Sequence, residues 1–185
     1  MIPSSLISFS LIALVLIFHS IAANNNNSHL IQQTCKNSSK TDPNISYKFC
    51  VSSLQAFPHS SCVKSLRQLG LISINLTRHN ITDTKAYIEK LLKKKNIEPF
   101  VKDCLDDCLE LYSDAIETVG DAIKDYKAKR YADANIDMSS VLDAPTTCED
   151  GFKERNDDVS PLKKRNKDAF QLSAIALSII NMLSE

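Results

Sequence analysis

From Glu98 to Tyr126 the apolar residues step by three and four without a break: Val101, Cys104, Leu105, Cys108, Leu111, Tyr112, Ala115, Ile116, Val119, Ala122, Ile123 and Tyr126. At about 3.6 residues per turn, such a stripe stays on one side of a helix for about eight turns, and the opposite side is charged. A helix of that length must lay its stripe against other helices. Pro99 fits its first turn, where a missing N–H costs nothing. The chain has three glycines (Gly70, Gly120 and Gly151) and no tryptophan. Strand-like alternation is scarce, so the chain reads as all-α.

Three more long helices can be read beside it. Pro58 marks a break, after which Ser60 or Ser61 is placed to cap a helix carrying Val63, Leu66 and Leu69. A weak stretch at Thr77–Asn80 and a fresh cap at Thr82 or Asp83 leave open one bent helix or two. One bent helix is preferred, continuing through Tyr87, Ile88, Leu91 and Leu92 to Lys93-Lys94-Lys95, where positive charge suits a helix C-terminus. Tyr131, Ala134, Met138, Val141 and Leu142 mark the next helix, which Pro145 is expected to kink or to open in its last turns. Cys148 and Phe152 follow on a related face, and Glu154 to Asp158 reads as a polar loop. Ser160-Pro161 looks like the cap and first proline of a last helix through Phe170, Leu172, Ile175, Ile179 and Leu183, apolar nearly all round near its end.

Four long helices with short links give an up-down-up-down four-helix bundle. Upstream, Asp42-Pro43 looks like an N-cap and first helical position for a helix carrying Tyr47, Cys50, Val51 and Leu54. Local pairing of Cys35 with Cys50 would fold this segment into a short hairpin appended to the bundle.

The N-terminus sets the compartment. Leu6 to Phe18 is apolar apart from Ser8 and Ser10, Ser20-Ile21-Ala22-Ala23 supplies small residues, and a polar run Asn24 to Asn27 follows. This reads as a secretory signal peptide over residues 1–23. The remaining domain, 24–185, divides into a hairpin at 24–57 and a bundle at 58–185. An uncleaved anchor is the alternative, but the apolar stretch is shorter than the ~20 residues a spanning helix needs. No membrane association is expected after cleavage. With 22 basic and 22 acidic residues the formal net charge is zero, which gives no support for nucleic-acid binding. Five N-glycosylation sequons begin at Asn26, Asn37, Asn44, Asn75 and Asn80. They suit a eukaryotic secretory route to the extracellular space, with the vacuole as the other destination.

Six cysteines allow fifteen complete pairings, and spacing alone does not choose among them. The bundle narrows them. Cys108 and Cys148 each lie twenty positions from Ala128, in the basic link Lys127-Ala128-Lys129-Arg130. If the chain folds back there, the two thiols face each other, and Cys104–Cys148 is the rival pairing. Cys62 and Cys104 would sit on the order of 40 Å apart at ~1.5 Å rise per residue, so they are not expected to bridge. Cys104 is read as a buried thiol, and Cys62 as a thiol or a link to another chain.

Catalytic and metal chemistry find no foothold. Three scattered glycines cannot build a phosphate loop, and there is no His-Glu-x-x-His pair. His29, His59 and His79 have no carboxylate partner evident in the sequence. Cys104 and Cys108 have a metal-like i,i+4 spacing, but secretion favours disulfides and no further ligand cluster is evident. Asp106-Asp107, Asp157-Asp158, Lys93–Lys95 and Lys163-Lys164-Arg165 read as solvated charge. No metal or cofactor is expected, and the protein is read as a binder, not an enzyme.

Several segments together resemble the plant invertase and pectin methylesterase inhibitor family: Thr34-Cys35, then Phe49-Cys50-Val51-Ser52-Ser53-Leu54, then Asp107-Cys108-Leu109-Glu110-Leu111-Tyr112-Ser113-Asp114-Ala115, then Thr147-Cys148-Glu149-Asp150-Gly151-Phe152, and a final stretch from Asn166 through Leu177. Within the family the chain looks most similar to the invertase-inhibitor group that includes pollen allergens. The resemblance implies a helical hairpin on a four-helix bundle, with bridges Cys35–Cys50 and Cys108–Cys148. It also implies non-covalent occlusion of a plant carbohydrate-active enzyme, acid (cell-wall or vacuolar) invertase first, with pectin methylesterase as the alternative. A carrier of a small apolar ligand, held in the bundle interior or in the hairpin groove and calling for a sizeable internal cavity, is the reading from a different class. Invertase inhibitors of this family resemble each other in a Pro-Lys-Phe motif entering the second bundle helix. The matching positions here are Pro99, Phe100 and Val101, of which only the proline agrees.

Overall fold

The computed structural model describes residues 28–58, 60–155 and 160–184. The signal-peptide segment 1–23, the Asn26 sequon, His59 and the pair Asp157-Asp158 lie outside them. The described residues form helices and no strand. These are α1 (residues 28–41), α2 (Tyr47–Ala56), a 3-10 turn (Ser60–Cys62), α3 (Leu66–Leu92), α4 (Pro99–Lys127), α5 (Tyr131–Lys153) and α6 (Lys163–Ser184).

Hydroxyl groups decide several boundaries. Asp42-Pro43 does not start α2. Asp42 Oδ1 accepts the Asn44 backbone N–H at 2.8 Å, which makes the pair part of the turn between α1 and α2. Ser46 caps α2 instead, accepting from Phe49 N–H at 3.4 Å. Ser60 does not cap α3, because its hydroxyl donates to the Gln55 carbonyl at 2.9 Å inside the 3-10 turn. The cap is Ser65, which accepts from Gln68 N–H at 3.2 Å. From there α3 runs as one helix of 27 residues. Ser160 and Pro161 form a turn ahead of α6, with Leu162 N–H donating to Ser160 Oγ at 3.1 Å. Pro145 is buried within α5, which continues to Lys153, so the last turns stay closed.

The basic link does reverse the chain. Lys129 takes a left-handed backbone (φ 62), Arg130 N–H reaches the Asp125 carbonyl at 2.9 Å, and Lys129 N–H reaches the Tyr126 carbonyl at 3.0 Å. This is a Schellman C-cap, unusual in having lysine where glycine is favoured. The α3–α4 link turns at Asn96 (φ 63), a residue type that tolerates this conformation.

α4 packs between α3 and α5, α5 packs on α6, and α6 closes the ring on α3. The bundle interior is filled by Tyr112, Tyr126, Phe152, Leu105 and Met138, each fully buried. A second apolar cluster joins Ile31, Cys35, Ile45, Cys50 and Leu54 of the hairpin to Val63, Leu69, Ala174, Ile175 and Ile179. The hairpin thus rests against both α3 and α6. Polar contacts fix its register: the Ser178 hydroxyl donates to Ser38 Oγ at 2.9 Å, and Ser46 N–H donates to Gln171 Oε1 at 3.0 Å.

Disulfides join Cys35 to Cys50 (Cα–Cα 5.7 Å) and Cys108 to Cys148 (Cα–Cα 5.0 Å). Cys62 is exposed and Cys104 is buried, and neither belongs to a disulfide.

Candidate functional site

Pro99, Phe100 and Val101 open α4 at the end of the bundle where α3 also finishes and α5 ends. Glu98 is the N-cap residue, and its Oε2 accepts Val101 N–H at 3.0 Å. Its other carboxylate oxygen receives Arg155 Nη1 at 3.1 Å, from just beyond α5. The Val101 N–H bond, with a further contribution from Arg155, holds the Glu98 carboxyl below its ordinary value. One carboxylate therefore satisfies a free amide of the first turn, offsets the positive end of the helix dipole and anchors the end of α5. With Glu98 seated there, this helix start is not an anion-binding site.

The Arg155 guanidinium also lies over the Phe100 ring, 4.7 Å from its centre. Phe100 and Val101 are half-buried against the bundle core, whereas Pro99 is exposed. One turn further, the Cys104 thiol donates to the Gly151 carbonyl at 3.6 Å, and the next turn carries the Cys108–Cys148 bridge. Behind it, the Tyr112 hydroxyl donates to Asn166 Oδ1 at 2.8 Å, and Asn166 Nδ2 donates to Glu149 at 2.7 Å. Burial, with the nearby Glu149 charge, pushes the Tyr112 phenol far above its usual range, so it stays a neutral donor. These contacts tie the starts of α4 and α6 to the end of α5, which makes this end of the bundle a preformed surface.

The remaining sequence candidates fall elsewhere. Asn37 and Asn44 are exposed, on α1 and in the hairpin turn. Asn75 and Asn80 are half-buried on α3; Asn75 Nδ2 donates to the Leu71 carbonyl at 2.7 Å, and Asn80 Oδ1 is buried without a hydrogen bond. His79 has a carboxylate neighbour that the sequence did not make evident, Asp83 Oδ2 at 3.7 Å, and both are well exposed. Lys102 pairs with Asp106 at 2.6 Å, and Arg165 lies over the Tyr87 ring. Lys93, Lys94 and Lys95 are exposed beside the α4 start. No group of three metal-ligating side chains occurs among the described residues, and none of their helices is long and apolar enough to cross a membrane.

Glu98 and Arg155 were the residues the sequence underplayed. Pro99 marks the helix start, but Glu98 is not among the residue types that usually cap one. Arg155 gave no signal, because its partner is 57 positions away.

The plant invertase/pectin methylesterase inhibitor family model matches residues 29–179. The chain belongs to this family. It is 46% identical over 154 residues to a Platanus acerifolia protein named "Putative invertase inhibitor", covering 83% of this chain and 85% of that one. It is 35% identical over 154 residues to pectinesterase inhibitor 12 of Arabidopsis thaliana, covering 83% and 87%. The crystal structure of a mutant form of a pectin methylesterase inhibitor from Arabidopsis matches this inhibitor-family fold with a TM-score of 0.65 at 23% identity, over 74% of this chain and 89% of that one. At that identity the likeness speaks for the fold alone.

Proposed function

We propose that this protein is a secreted inhibitor that non-covalently occludes a plant carbohydrate-active enzyme, with acid invertase as its first target. It would dock the end of the bundle that carries Pro99, Phe100 and Val101. The observation that carries the reading is the clamped start of α4, where Glu98, Phe100 and Arg155 hold one another in place. A surface already in its final shape loses little conformational entropy on binding.

Charge supports the same end. Where inhibitors of this family resemble each other in a lysine, this chain has Phe100, and Arg155 lies across its ring. Because Arg155 also pairs with the Glu98 carboxylate, it fixes the shape of this surface. Glycoside hydrolases commonly work with a pair of carboxylates, which the exposed Lys93, Lys94 and Lys95 beside the α4 start could meet. The 46% identity to a protein named as an invertase inhibitor favours invertase. Pectin methylesterase is the second reading, favoured by the 35% identity to pectinesterase inhibitor 12 and by the departure from Pro-Lys-Phe at Phe100-Val101. The filled bundle core argues against carriage of an apolar ligand inside the bundle.

Secretion belongs to the proposal. Its support is the apolar segment ahead of Ala22-Ala23, the two disulfides, which suit an oxidising compartment, and the 28% identity to an Arabidopsis protein named cell wall / vacuolar inhibitor of fructosidase 2.

The test is titration of oxidised protein into acid invertase and into pectin methylesterase, at wall pH and at neutral pH. Saturable loss of invertase activity supports the first reading, loss of esterase activity alone supports the second, and loss of neither refutes both. Arg155→Ala should weaken inhibition about tenfold or more while leaving the folded helix content unchanged.

A further inference from the structure

A groove of about 490 Å³ runs between the hairpin and the bundle, walled by α1 on one side and by α5 and α6 on the other. Asn37 and Thr41, one turn apart, form part of the α1 wall. Leu142 and Leu177 give the groove an apolar floor, and Ser178 and Asn181 add a hydroxyl and an amide. A mixed surface of this kind suits a sugar, which presents C–H faces and hydroxyls together.

Asn37 stands in the sequon Asn37-Ser38-Ser39. Its side chain is exposed, and its Oδ1 accepts from Gln33 Nε2 at 3.1 Å. Among the described residues nothing hydrogen-bonds its Nδ2. Asn37 thus combines an exposed side chain with a place in the groove wall. The other described sequons differ. Asn44 is exposed but does not line the groove, and Asn75 and Asn80 are half-buried on α3, Asn80 with Oδ1 enclosed.

We infer that Asn37 carries an N-linked oligosaccharide whose first sugars lie in this groove. The glycan would cover the apolar floor between hairpin and bundle and fasten α1 to α5 and α6. The inference rests on the secretory route proposed above. In the transfer, Asn37 Nδ2 forms a bond to the anomeric carbon of a polyprenyl-pyrophosphate-linked oligosaccharide. The anomeric C–O bond breaks, the pyrophosphate leaves with the electron pair, and the amide nitrogen gives up one proton. Ser39 completes the sequon without lining the groove, so Ser39→Ala abolishes attachment and leaves Asn37 in place.

The experiment uses the full chain expressed in plant cells, with glycopeptide mass spectrometry and N-terminal sequencing of the recovered protein. The expected result is a processed N-terminus with sugar on Asn37. Asn37→Gln and Ser39→Ala should each lower the melting temperature of plant-made protein by about 2–4 °C. The same changes should shift disulfide-bonded protein made in bacteria, which lacks the glycan, by less than about 1 °C. Secreted, processed protein with bare Asn37 overturns the inference and leaves the secretory route standing. Protein retained in the cell with residues 1–23 intact overturns both. A glycan on Asn37 whose loss leaves the melting temperature unchanged overturns its seating in the groove.

Discussion

The Tyr126 ring of α4 lies directly over Gly70 of α3, and its hydroxyl donates to the Arg67 carbonyl at 2.9 Å. A Cβ at position 70 would fall 2.8 Å from Tyr126 Cζ and 3.0 Å from Ile179 Cγ2. Three helices therefore meet at a point where only a hydrogen fits.

Gly70→Ala should destabilise the fold despite the better helix propensity of alanine. Overpacking at such a contact costs about 1–3 kcal/mol, against a propensity gain of up to about 1 kcal/mol. Urea unfolding of both proteins measures the difference, and an unchanged or raised midpoint would contradict the close approach. Gly120 has nothing within 4 Å of the equivalent position, so Gly120→Ala should stabilise by about 0.5–1 kcal/mol.

Lys129 holds a left-handed conformation that costs a non-glycine residue about 1–2 kcal/mol. Lys129→Gly relieves that cost and gives back part of it as extra freedom in the unfolded chain. A net gain of about 0.5–1 kcal/mol is expected, read as a rise in thermal midpoint with unchanged target inhibition.

Asn166→Leu keeps the bulk of the buried side chain and removes the acceptor of Tyr112 and the donor to Glu149. An unsatisfied buried hydroxyl costs about 1–3 kcal/mol, so chemical unfolding should begin markedly earlier. Tyr112→Phe combined with Asn166→Leu should recover part of the loss, because no buried donor is then stranded.

Asp137 gives a pH dependence with a definite sign. Burial raises its carboxyl above the ordinary value, and Asp125, Asp121 and Asp133 add to the shift. The folded state therefore binds the proton more tightly than the unfolded chain. Its contribution to stability is full below the unfolded value and is lost as pH rises through the folded one. Asp137→Asn should raise stability near neutral pH and flatten the loss across the carboxylate range, as followed by thermal unfolding between pH 3 and 7.

The two disulfides should differ in weight. By chain entropy alone, closing 40 residues at Cys108–Cys148 is worth about 3.9 kcal/mol and closing 15 residues at Cys35–Cys50 about 3.0 kcal/mol. Replacing each pair by serines and comparing unfolding midpoints checks the order.

Local patterns were legible and non-local ones were not. The α4 stripe declares itself because every buried position from Cys104 to Tyr126 is apolar or aromatic. α1 is harder to see, because its buried face consists of Ile31, Thr34, Cys35 and Ser38, so half of it is hydroxyl. Ser38 is a core residue only because Ser178, 140 positions later, meets it. The start of α2 was misplaced for a related reason: Asp42 can cap a helix or close a turn, and which it does depends on the helix that precedes it. At the candidate site Pro99 was readable as the opening of α4, but Arg155 over Phe100 depends on a contact between distant parts of the chain.

Neither disulfide crosses between the two apolar clusters. Cys35–Cys50 lies wholly within the hairpin's cluster, and Cys108–Cys148 wholly within that of the bundle. A pull on the N-terminus of the fully oxidised protein would thus meet no covalent stop between them. The hairpin could peel from α3 and α6 as an intact looped unit, with the backbone between α2 and α3 paying out as its tether.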